Sequence, residues 1–395
     1  MLANILLLAP ANHNIELAID EIQQLPPLLP SDEATVAFVK DLSRRLLTPD
    51  YKAFPELVAL GFWLREIVRS PQLNKETTPN VFVKALGLVV HFTPSNVDTM
   101  FMYSWICGAL LGNKNIVRVA TQETDTQVHL IGLINQLFSQ PQYAAIAQRN
   151  LFVRTDKTSD WSAKLSFVAD ARVLWGGDDS VQAIRQLPSK PRTRDISFAD
   201  RYSAAVIHAD AVGTPQSCQD VAQKLWKDTL PHMQQACSSP RVVYWVGDTA
   251  AQSDFFARVD ELAQQQLTPS PTLRNEQLVF SQYSAAVCGA VTLQYRIINV
   301  VSCQDVQKLL SLHGGQMTYV LVNVHSLQDI VFTQSEKLQT LTYAGGENSD
   351  LQALVMRPEI SGIDRVVPVG QALDFAPVWD GMDLFAMLSR RIMIR

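Results

Sequence analysis

Predicted strands and helices alternate along most of this chain, beginning at about residue 81. The first strands are VFVKALGLVVHF, NIVRVA, NLFVRT, ARVLWG and SAAVIHAD, with helical segments such as NVDTMFMYSWICGALL and VHLIGLINQLF between them. A second series has strands RVVYWVG, YRIINVV and MTYVLVNV among helices VAQKLWKDTL, DFFARVDELAQQQ, DVQKLLSL and DIVFTQSEKLQ. Such alternation is typical of parallel sheets that are covered by helices. The sequence therefore predicts an α/β protein whose two α/β units join near residue 198.

The residues before this alternation have a different periodicity. Apolar side chains recur at helical spacing in NIELAIDEIQQL, ATVAFVKDLSRRLL and ELVALGFWLREIV. We therefore expect a helical part over residues 1–75 that belongs to a Rossmann-type domain over 76–197. A second α/β domain over 198–360 and a C-terminal segment over 361–395 complete the predicted organisation.

Composition and charge exclude several classes of protein. The 395 residues carry 33 Lys and Arg against 38 Asp and Glu, and the net charge of −5 argues against a nucleic-acid partner, which needs a basic face. No apolar run approaches the ~20 residues of a membrane span, and ILLLAP lacks the basic flank of a signal peptide. Five cysteines without CxxC or Cys/His spacing indicate neither a disulfide framework nor a metal site. These features predict a cytoplasmic protein.

The turns that follow the first strands are candidate ligand-binding segments. In a Rossmann-type sheet, ligands bind outside the carboxyl ends of the strands. TPSNV follows GLVVHF, ATQET follows NIVRV, and GGDDS follows ARVLW, whereas the GxGxxG pattern is missing. Gly176 and Gly177 precede a predicted helix, so their backbone suits either a phosphate at the helix N-terminus or a tight turn.

Cys237 lies in an unusual setting for a structural cysteine. In HMQQACSSPRVVYWVGD, two glutamines precede its alanine neighbour, and two serines and a proline follow it before a strand. Buried structural thiols usually have apolar neighbours, whereas a thiol in a polar, partly open turn can act as a nucleophile. We therefore consider Cys237 a candidate catalytic residue.

Several blocks of this sequence resemble the aldehyde dehydrogenase superfamily. One block runs from Thr93-Pro94-Ser95-Asn96-Val97 through a helix to Gly112-Asn113 and a strand that ends at Arg118. Within the superfamily, the chain resembles the acyl-CoA reductases of the LuxC family. The blocks that carry the resemblance are HFTPSNVDTMFMYSWICGALLGN, FADRYSAAVI, QQACSSPR and GIDRVVPVGQALDFAPVWDGMDLFAMLSR. The resemblance implies an aldehyde-dehydrogenase-like fold, with a cofactor domain and a catalytic domain.

The resemblance also implies the catalytic residues. Cys237 falls where the superfamily has its nucleophilic cysteine, and Asn96 falls where a side-chain amide stabilises the oxyanion, together with the backbone N–H of Cys237. The implied reaction is the NADPH-dependent reduction of a fatty acyl thioester to the aldehyde, through an acyl-cysteine intermediate.

For the cofactor, the resemblance implies seven residues at the strand ends: Thr93, Pro94, Ser95, Arg118, Thr121, Gly176 and Gly177. Arg118 matches a lysine that lies beside the adenosine ribose. Thr121 replaces a glutamate that often binds the ribose hydroxyls in NAD-preferring members. A cation without that carboxylate can accommodate a 2′-phosphate, so NADPH is the expected cofactor.

Two charged features near these turns have alternative interpretations. Asp178 directs negative charge toward a diphosphate at Gly177, or it simply caps the helix that follows. A basic cluster either binds nucleotide or CoA phosphates or forms a solvated loop; its members are Lys190, Arg192, Arg194 and Arg201.

One functional residue of the superfamily is missing. Hydrolytic members carry a glutamate that activates water against the acyl-enzyme, and the alignment places Ser197 at that position. Asp195 and Asp200 are the only carboxylates nearby, and we interpret them as solvated turn residues. Without a base to activate water, an acyl-cysteine persists until a thiol or hydride reaches it.

The predicted substrate is therefore an acyl-CoA or an acyl-protein thioester, with an acyl-protein synthetase or a thioesterase as a candidate partner. Because superfamily members pair through edge strands and C-terminal segments, we also expect a homo-oligomer in which residues 361–395 take part. Two alternatives stay open: an NAD(P)-dependent aldehyde dehydrogenase that forms the acid, and a non-catalytic scaffold in an acyl-transfer complex.

Overall fold

The chain forms two compact units. A computed structural model describes four ranges of residues: 5–11, 14–70, 80–156 and 159–395. Unit 1 comprises the residues up to 199 together with 375–395, and unit 2 comprises 200–374. The boundary expected at residues 75 and 76 lies outside the described residues.

Unit 1 has an α/β organisation. Up to residue 199, its strands are β1 (Leu6–Ala9), β2 (Val81–Ala85), β3 (Leu88–Phe92), β4 (Lys114–Val119), β5 (Asn150–Arg154), β6 (Ala171–Trp175) and β7 (Arg194–Phe198). Its helices are α1 (Ile15–Gln24), α2 (Glu33–Leu46), α3 (Pro55–Ile67), α4 (Met100–Leu110), α5 (Asp125–Phe138), α6 (Ala144–Ala147), α7 (Asp160–Val168) and α8 (Asp178–Arg185).

The main sheet of unit 1 has the strand order β1-β5-β4-β3-β6-β7. Strands β3 to β7 are parallel, and β1 pairs antiparallel with β5. The chain builds the sheet outward from β3 in one direction through β4 and β5, and then in the other through β6 and β7. The sheet therefore has a topological switch point at β3, where open α/β sheets bind their ligands.

Helices cover both faces of this sheet. On one face, α2 to α5 pack through side chains such as Phe38, Leu60 and Trp105. On the other face, α1, α7 and α8 contribute Ile22, Leu165 and Val181.

Strands β3, β4 and β6 are buried along their whole length. Burial on both faces explains why β3 and β6 are mostly apolar. Strand β4 also has buried polar side chains, and one of them, Asn115, donates to the carbonyl oxygen of Asn113 and to Asn150 Oδ1.

The structure corrects three of the predicted elements of unit 1. Residues 6–9 form a strand, although the N-terminal part was expected to be helical. The predicted strand VFVKALGLVVHF is two strands, because the chain turns at Gly87, whose φ is +142° and where a Cβ would collide with Asp170. Asp195 lies within β7 rather than in a solvated turn.

Unit 2 is also an α/β unit. Its strands are β8 (Tyr202–His208), β9 (Pro240–Val246), β10 (Val291–Leu293), β11 (Asn299–Ser302), β12 (Thr318–Val324), β13 (Leu338–Ala344) and β14 (Arg365–Pro368). Its helices are α9 (Pro215–Thr229), α10 (Gln252–Gln266), α11 (Pro271–Cys288), α12 (Gln307–Leu310) and α13 (Asn348–Val355). The strand order is β10-β11-β12-β9-β8-β13-β14, and only β10 runs antiparallel to its neighbour.

Two apolar cores lie on opposite faces of this sheet. Helices α9 and α10 pack on one face through Leu225, Trp226 and Phe256, and α12 and α13 pack on the other. Helix α11 contributes Leu273 to the first core and Phe280 to the second. The predicted helix DIVFTQSEKLQ is wrong, because residues 327–329 and 335–337 form only short 3₁₀ turns. Helix α11 went unpredicted.

Among the described residues of both units, no helix has the length and apolar character that a membrane crossing requires.

The C-terminal residues return to unit 1. They form β15 (Val378–Trp379), β16 (Met382–Asp383), α14 (Leu384–Met387) and β17 (Ser389–Met393), and β17 pairs antiparallel with β2. Asn113 holds this segment in place. Its Oδ1 accepts from the backbone N–H groups of Leu86 (2.8 Å) and Gly87 (3.0 Å), and its Nδ2 donates to the carbonyl oxygens of Gly108 (3.2 Å) and Leu388 (2.8 Å).

We expect Asn113→Ala to lower the free energy of unfolding by about 2–4 kcal/mol, because it leaves buried backbone groups of three segments without their partner. Chemical denaturation monitored by tryptophan fluorescence measures this loss. Gln24→Ala, which removes an exposed amide from the end of α1, is the control and should change the stability by less than about 0.5 kcal/mol. Equal stability of the two variants would contradict the role of Asn113.

Candidate active site

The predicted cofactor residues of unit 1 lie at the carboxyl edge of its sheet. Thr93 follows β3, Thr121 follows β4, and Gly176 follows β6. These three strands are neighbours in the order β4-β3-β6 and run parallel, so their carboxyl ends meet at the same edge. The structure thus brings the three predicted turns together at the switch point of the sheet.

The TPSNV turn is attached to the neighbouring strand by its first residue. The Oγ1 of Thr93 donates to the carbonyl oxygen of Arg118 (2.8 Å), and the backbone N–H of Thr93 donates to the same oxygen (3.3 Å). Beyond this attachment, Pro94 is half-buried, and Ser95 and Asn96 are exposed. The turn therefore presents the side chain of Asn96 at the surface of unit 1, on a backbone that is fixed at Thr93.

The guanidinium of Arg118 lies deeper than a surface phosphate ligand. The residue is 6% exposed, and its Nη2 donates to the carbonyl oxygen of Thr155 at 3.3 Å. Its buried Nε has no hydrogen-bond partner among the described residues. Burial lowers the pKa of Arg118, and the charge of Asp156 acts in the opposite direction. An arginine keeps its charge in proteins, so this group is a buried cation with spare hydrogen-bonding capacity.

An ion pair that sequence reasoning missed lies close to Thr121. Arg154, the last residue of β5, donates from Nη1 to Glu123 Oε2 at 2.6 Å and from Nε to the carbonyl oxygen of Ala120 at 3.3 Å. Thr121 itself is exposed. Glu123 lies two residues after Thr121, the position where NAD-preferring members often have a ribose-binding glutamate. The segment ATQET contains Glu123, so the sequence could have identified this carboxylate. A carboxylate and a second cation thus flank the predicted adenosine site.

The Gly-Gly turn is open but has an acidic helix after it. Gly176 has φ of +158°, and a Cβ on Gly177 would meet no atom within 4 Å. Helix α8 begins directly after Gly177, and its first turn contains Asp178 and Asp179. These carboxylates interact favourably with the helix dipole, yet they oppose an anion at the same place. Backbone access therefore favours a phosphate here, and local charge disfavours it.

Most of the basic cluster makes structural contacts. Lys190 pairs with Asp170 at 2.9 Å, and Arg194 donates to the carbonyl oxygens of Met387 (3.0 Å) and Ser389 (2.8 Å). In unit 2, Arg201 pairs with Asp364 at 2.6 Å. Arg194 and Arg201 thus hold segments of their own units together, whereas Lys190 is exposed in a loop, as the solvated-loop interpretation expects.

The carboxylates near the missing glutamate are also engaged. Asp195 accepts from Nε and Nη2 of the buried Arg172, both at 2.6 Å, in a bidentate pair. Asp200 lies 3.6 Å from the ammonium of Lys337. Ser197, in β7, is half-buried and has no carboxylate in its side chain.

Cys237 lies in the turn between a 3₁₀ segment (Pro231–Gln234) and strand β9 of unit 2. The residue is half-buried, whereas Ser238 and Ser239 are 4% and 0% exposed. Its carbonyl oxygen accepts a 2.7 Å hydrogen bond from Ser203 Oγ, and that Oγ accepts from the backbone N–H of Thr340 at 3.2 Å. The turn is thereby attached to the amino ends of β8 and β13.

The other four cysteines are less suited to act as nucleophiles. Cys107 and Cys218 are buried, and burial raises the pKa of both thiols. Cys303 is buried as well, and burial followed by the neighbouring thiol raises its pKa to about 11. Cys288 is half-buried, but its sulfur lies 3.1 Å from that of Cys303 and donates to the carbonyl of Ser284. Cys237 is thus a half-buried cysteine in a turn, whereas the other half-buried cysteine, Cys288, lies at the end of α11 in contact with Cys303.

Three comparisons relate this chain to known proteins. It is 25% identical over 171 residues to the long-chain acyl-protein thioester reductase of Aliivibrio fischeri; the match covers 42% of this chain and 34% of that protein, about a third of its length. A putative aldehyde dehydrogenase from Burkholderia cenocepacia has a similar structure, with a TM-score of 0.72 at 12% identity, over 96% of this chain and 89% of the other. PnpE in complex with nicotinamide adenine dinucleotide gives a TM-score of 0.70 at 12% identity, with the same coverage.

These structural similarities show that the chain has the aldehyde dehydrogenase fold, which confirms the predicted fold class. A family model described as acyl-CoA reductase (LuxC) matches residues 9–391, nearly the whole chain. The predicted resemblance is therefore confirmed, and the chain belongs to the LuxC acyl-CoA reductase family.

Proposed function

We propose that this protein reduces a fatty acyl thioester to the aldehyde through an acyl group carried on Cys237. The observation that carries the proposal is the setting of this thiol. It lies half-buried in a polar turn that is hydrogen-bonded to two strands, whereas the other cysteines are buried or in contact with another thiol. Membership of the LuxC family supports the same reaction.

In the proposed reaction, the Cys237 thiolate attacks the carbonyl carbon of the thioester. The thiol of the donor leaves, and the acyl group stays on the Sγ of Cys237. The side-chain amide of Asn96 and the backbone N–H of Cys237 are the proposed donors to the oxyanion. Asn96 is exposed on a turn that Thr93 fixes, which suits a side chain that has to meet a substrate.

The slow loss of the acyl group to water is the second part of the proposal. The proposed position of a water-activating base holds Ser197, and the two nearby aspartates are paired with cations. A carboxylate that is held in an ion pair is a poor general base for water. The acyl group on Cys237 therefore survives until it is reduced.

A nicotinamide cofactor supplies the hydride when it is bound. The carboxyl edge of the unit 1 sheet fits such a cofactor, since it has an open backbone at Gly177 and a buried cation with a spare N–H at Arg118. The proposed ligands are Thr93, Pro94, Ser95, Arg118, Thr121, Gly176 and Gly177. We propose NADPH for two reasons. Residue 121 is threonine instead of a ribose-binding glutamate, and Arg118 keeps an unused N–H donor for a 2′-phosphate.

The proposed substrate carries its acyl group on CoA or on a protein thiol. The name of the Aliivibrio fischeri relative, long-chain acyl-protein thioester reductase, favours a long acyl chain and a protein donor. An acyl-protein synthetase or a thioesterase that delivers the acyl group is the matching partner. A nucleophilic thiol that has to stay reduced also suits a reducing compartment such as the cytoplasm.

We further propose that the protein forms a homo-oligomer through the ladder of β2 and β17. Phe82 and Ile392 pair in this ladder and are 54% and 41% exposed, and Met393 and Ile394 are exposed as well. Covering these apolar side chains with a second copy would remove them from water.

Replacing Cys237 with alanine is expected to abolish both the acyl-enzyme and the production of aldehyde, while NADPH binding stays within about twofold. Intact-mass spectrometry after incubation with a long-chain acyl-CoA measures the first effect, and fluorescence titration of NADPH measures the last. Cys288→Ala is the matched control, because Cys288 is the other half-buried cysteine and should keep full acylation. Acylation of the Cys237 variant would exclude this residue as the nucleophile.

For cofactor choice, Arg118→Ala should weaken the binding of NADPH at least about tenfold more than that of NADH, since a charge-assisted hydrogen bond to the 2′-phosphate contributes ~1.5–3 kcal/mol. Titrations of both cofactors give the ratio of the two dissociation constants. If the loss of a buried arginine only disturbed the fold, the binding of NADPH and the binding of NADH would weaken by the same factor. Thr121→Glu should shift the same ratio toward NADH, and an unchanged ratio in both variants would contradict a 2′-phosphate site.

The slow hydrolysis of the acyl-enzyme gives a separate prediction. Ser197→Glu should accelerate the loss of the acyl group in the absence of NADPH, because a carboxylate that reaches a water contributes ~10²–10⁴-fold as a general base. The decay of the acylated mass with time measures the rate. Ser197→Gln introduces a side chain of the same size as glutamate but without the carboxylate. Its acyl-enzyme should decay as slowly as that of the unmodified protein. Fast hydrolysis by the unmodified protein would favour an acid-forming aldehyde dehydrogenase.

A further inference from the structure

The backbone directly before Cys237 is strained. His232, Met233 and Gln234 have φ values of 54°, 53° and 63°, so three consecutive non-glycine residues lie in the left-handed region. This region is unfavourable for a residue that has a Cβ, because the Cβ then lies too close to the following carbonyl oxygen. A strained run of this kind persists only where its surroundings determine it, and such runs cluster at functional sites.

The side chain of Gln234 is the main contact that determines this run. It is fully buried, and its Nε2 donates to the carbonyl oxygens of Pro240 and Thr318, both at 2.8 Å. Its Oε1 accepts from the backbone N–H of Thr318, also at 2.8 Å. One amide group thus joins the strained segment to the starts of β9 and β12, two neighbouring strands of the sheet.

A second loop holds the same segment by its backbone. The N–H of Gln316 donates to the carbonyl oxygen of Met233 at 2.9 Å, and Gln277 of α11 donates to the carbonyl of Gln316 at 2.9 Å. Gly315 approaches so closely that a Cβ there would lie 2.8 Å from the carbonyl oxygen of Gln234. No larger residue fits at this contact, so the two loops constrain each other.

We propose that Gln234 is a positioning residue that fixes the backbone of Cys237 for attack on the thioester. The inference rests on the proposed role of Cys237 as the nucleophile. Cys237 is three residues from Gln234, and its own carbonyl is held by Ser203 at 2.7 Å, so the turn is fixed on both sides of the reacting sulfur. A displacement of about 1 Å from the attacking geometry can lower a rate ~10²-fold.

The test compares two isosteric substitutions of buried side chains in unit 2. Gln234→Glu replaces the amide nitrogen, with its two N–H donors, by one oxygen that faces the carbonyl oxygens of Pro240 and Thr318. The matched control is Asp260→Asn. Asp260 is 4% exposed and accepts from the backbone N–H groups of Arg296 (3.0 Å), Ile297 (2.7 Å) and Ile298 (3.0 Å). It therefore holds a different segment, residues 296–298, through the same number of hydrogen bonds to the backbone.

Three quantities are measured for each variant. They are the midpoint of thermal unfolding, the rate of Cys237 alkylation by iodoacetamide, and the rate of Cys237 acylation by saturating palmitoyl-CoA without NADPH. We expect both variants to unfold at lower temperature. Gln234→Glu should be acylated at least about tenfold more slowly, with alkylation changed less than about threefold, since alkylation does not require the attacking geometry. Asp260→Asn should be acylated within about twofold of the unmodified rate.

Acylation of Gln234→Glu at the unmodified rate, or an equal loss in Asp260→Asn, would overturn the positioning role. Gln234→Met removes the same hydrogen bonds without placing an acid in the core, and it takes the place of the glutamate variant if that protein does not fold. An unmodified protein that is acylated at another residue, or not at all, would instead refute the proposed function and this inference with it.

Discussion

Coverage of both faces of two parallel sheets is the constraint on which the rest of this structure depends. The middle of a strand that is buried on both faces is shielded from solvent, so the groups that meet a ligand lie near the strand ends and in the turns that follow them. In unit 1 these ends carry Thr93, Thr121 and Gly176 on three neighbouring strands. The burial of the strands and the polar sequence of the turns are therefore two consequences of one arrangement.

In unit 2 the same constraint acts on the amino ends of the strands. Cys237 precedes β9, and its turn is held by groups at the starts of other strands: Ser203 in β8, Thr318 in β12 and Thr340 in β13. A buried turn cannot rely on water for its backbone hydrogen bonds, so side chains have to provide them. The amide of Gln234 can do so because one group combines two donors with an acceptor. The turn around Cys237 therefore needs polar residues because its backbone is shielded from water.

Much of the fold could be predicted from the sequence, because long apolar runs and amphipathic helices are local signals. Two of the elements that were missed depend on contacts that the local sequence does not carry. β1 is a strand because it pairs with β5, and the break between β2 and β3 follows from the contact of Gly87 with Asp170. Helix α11 was missed although Ser270 and Pro271 at its start and Gly289 at its end are ordinary helix signals.

For the candidate site, the sequence identified the turns but not the contacts that hold them. Cys237 and Asn96 were singled out by a polar turn and by family resemblance, and both lie in polar turns of the structure. Gln234 could not be singled out, since its importance follows from a left-handed backbone and from hydrogen bonds to Thr318, 84 residues further along the chain. Asp195 was misjudged for the same reason, because its partner Arg172 lies on the neighbouring strand.

The most direct test of reduction through Cys237 is a single-turnover chase. The unmodified protein is first acylated with palmitoyl-CoA without cofactor, free thioester is removed, and NADPH is then added. We predict that the acyl group leaves Cys237 at the same rate as one equivalent of fatty aldehyde appears. Release of free fatty acid instead of aldehyde, or an acylated protein that NADPH leaves unchanged, would contradict this mechanism.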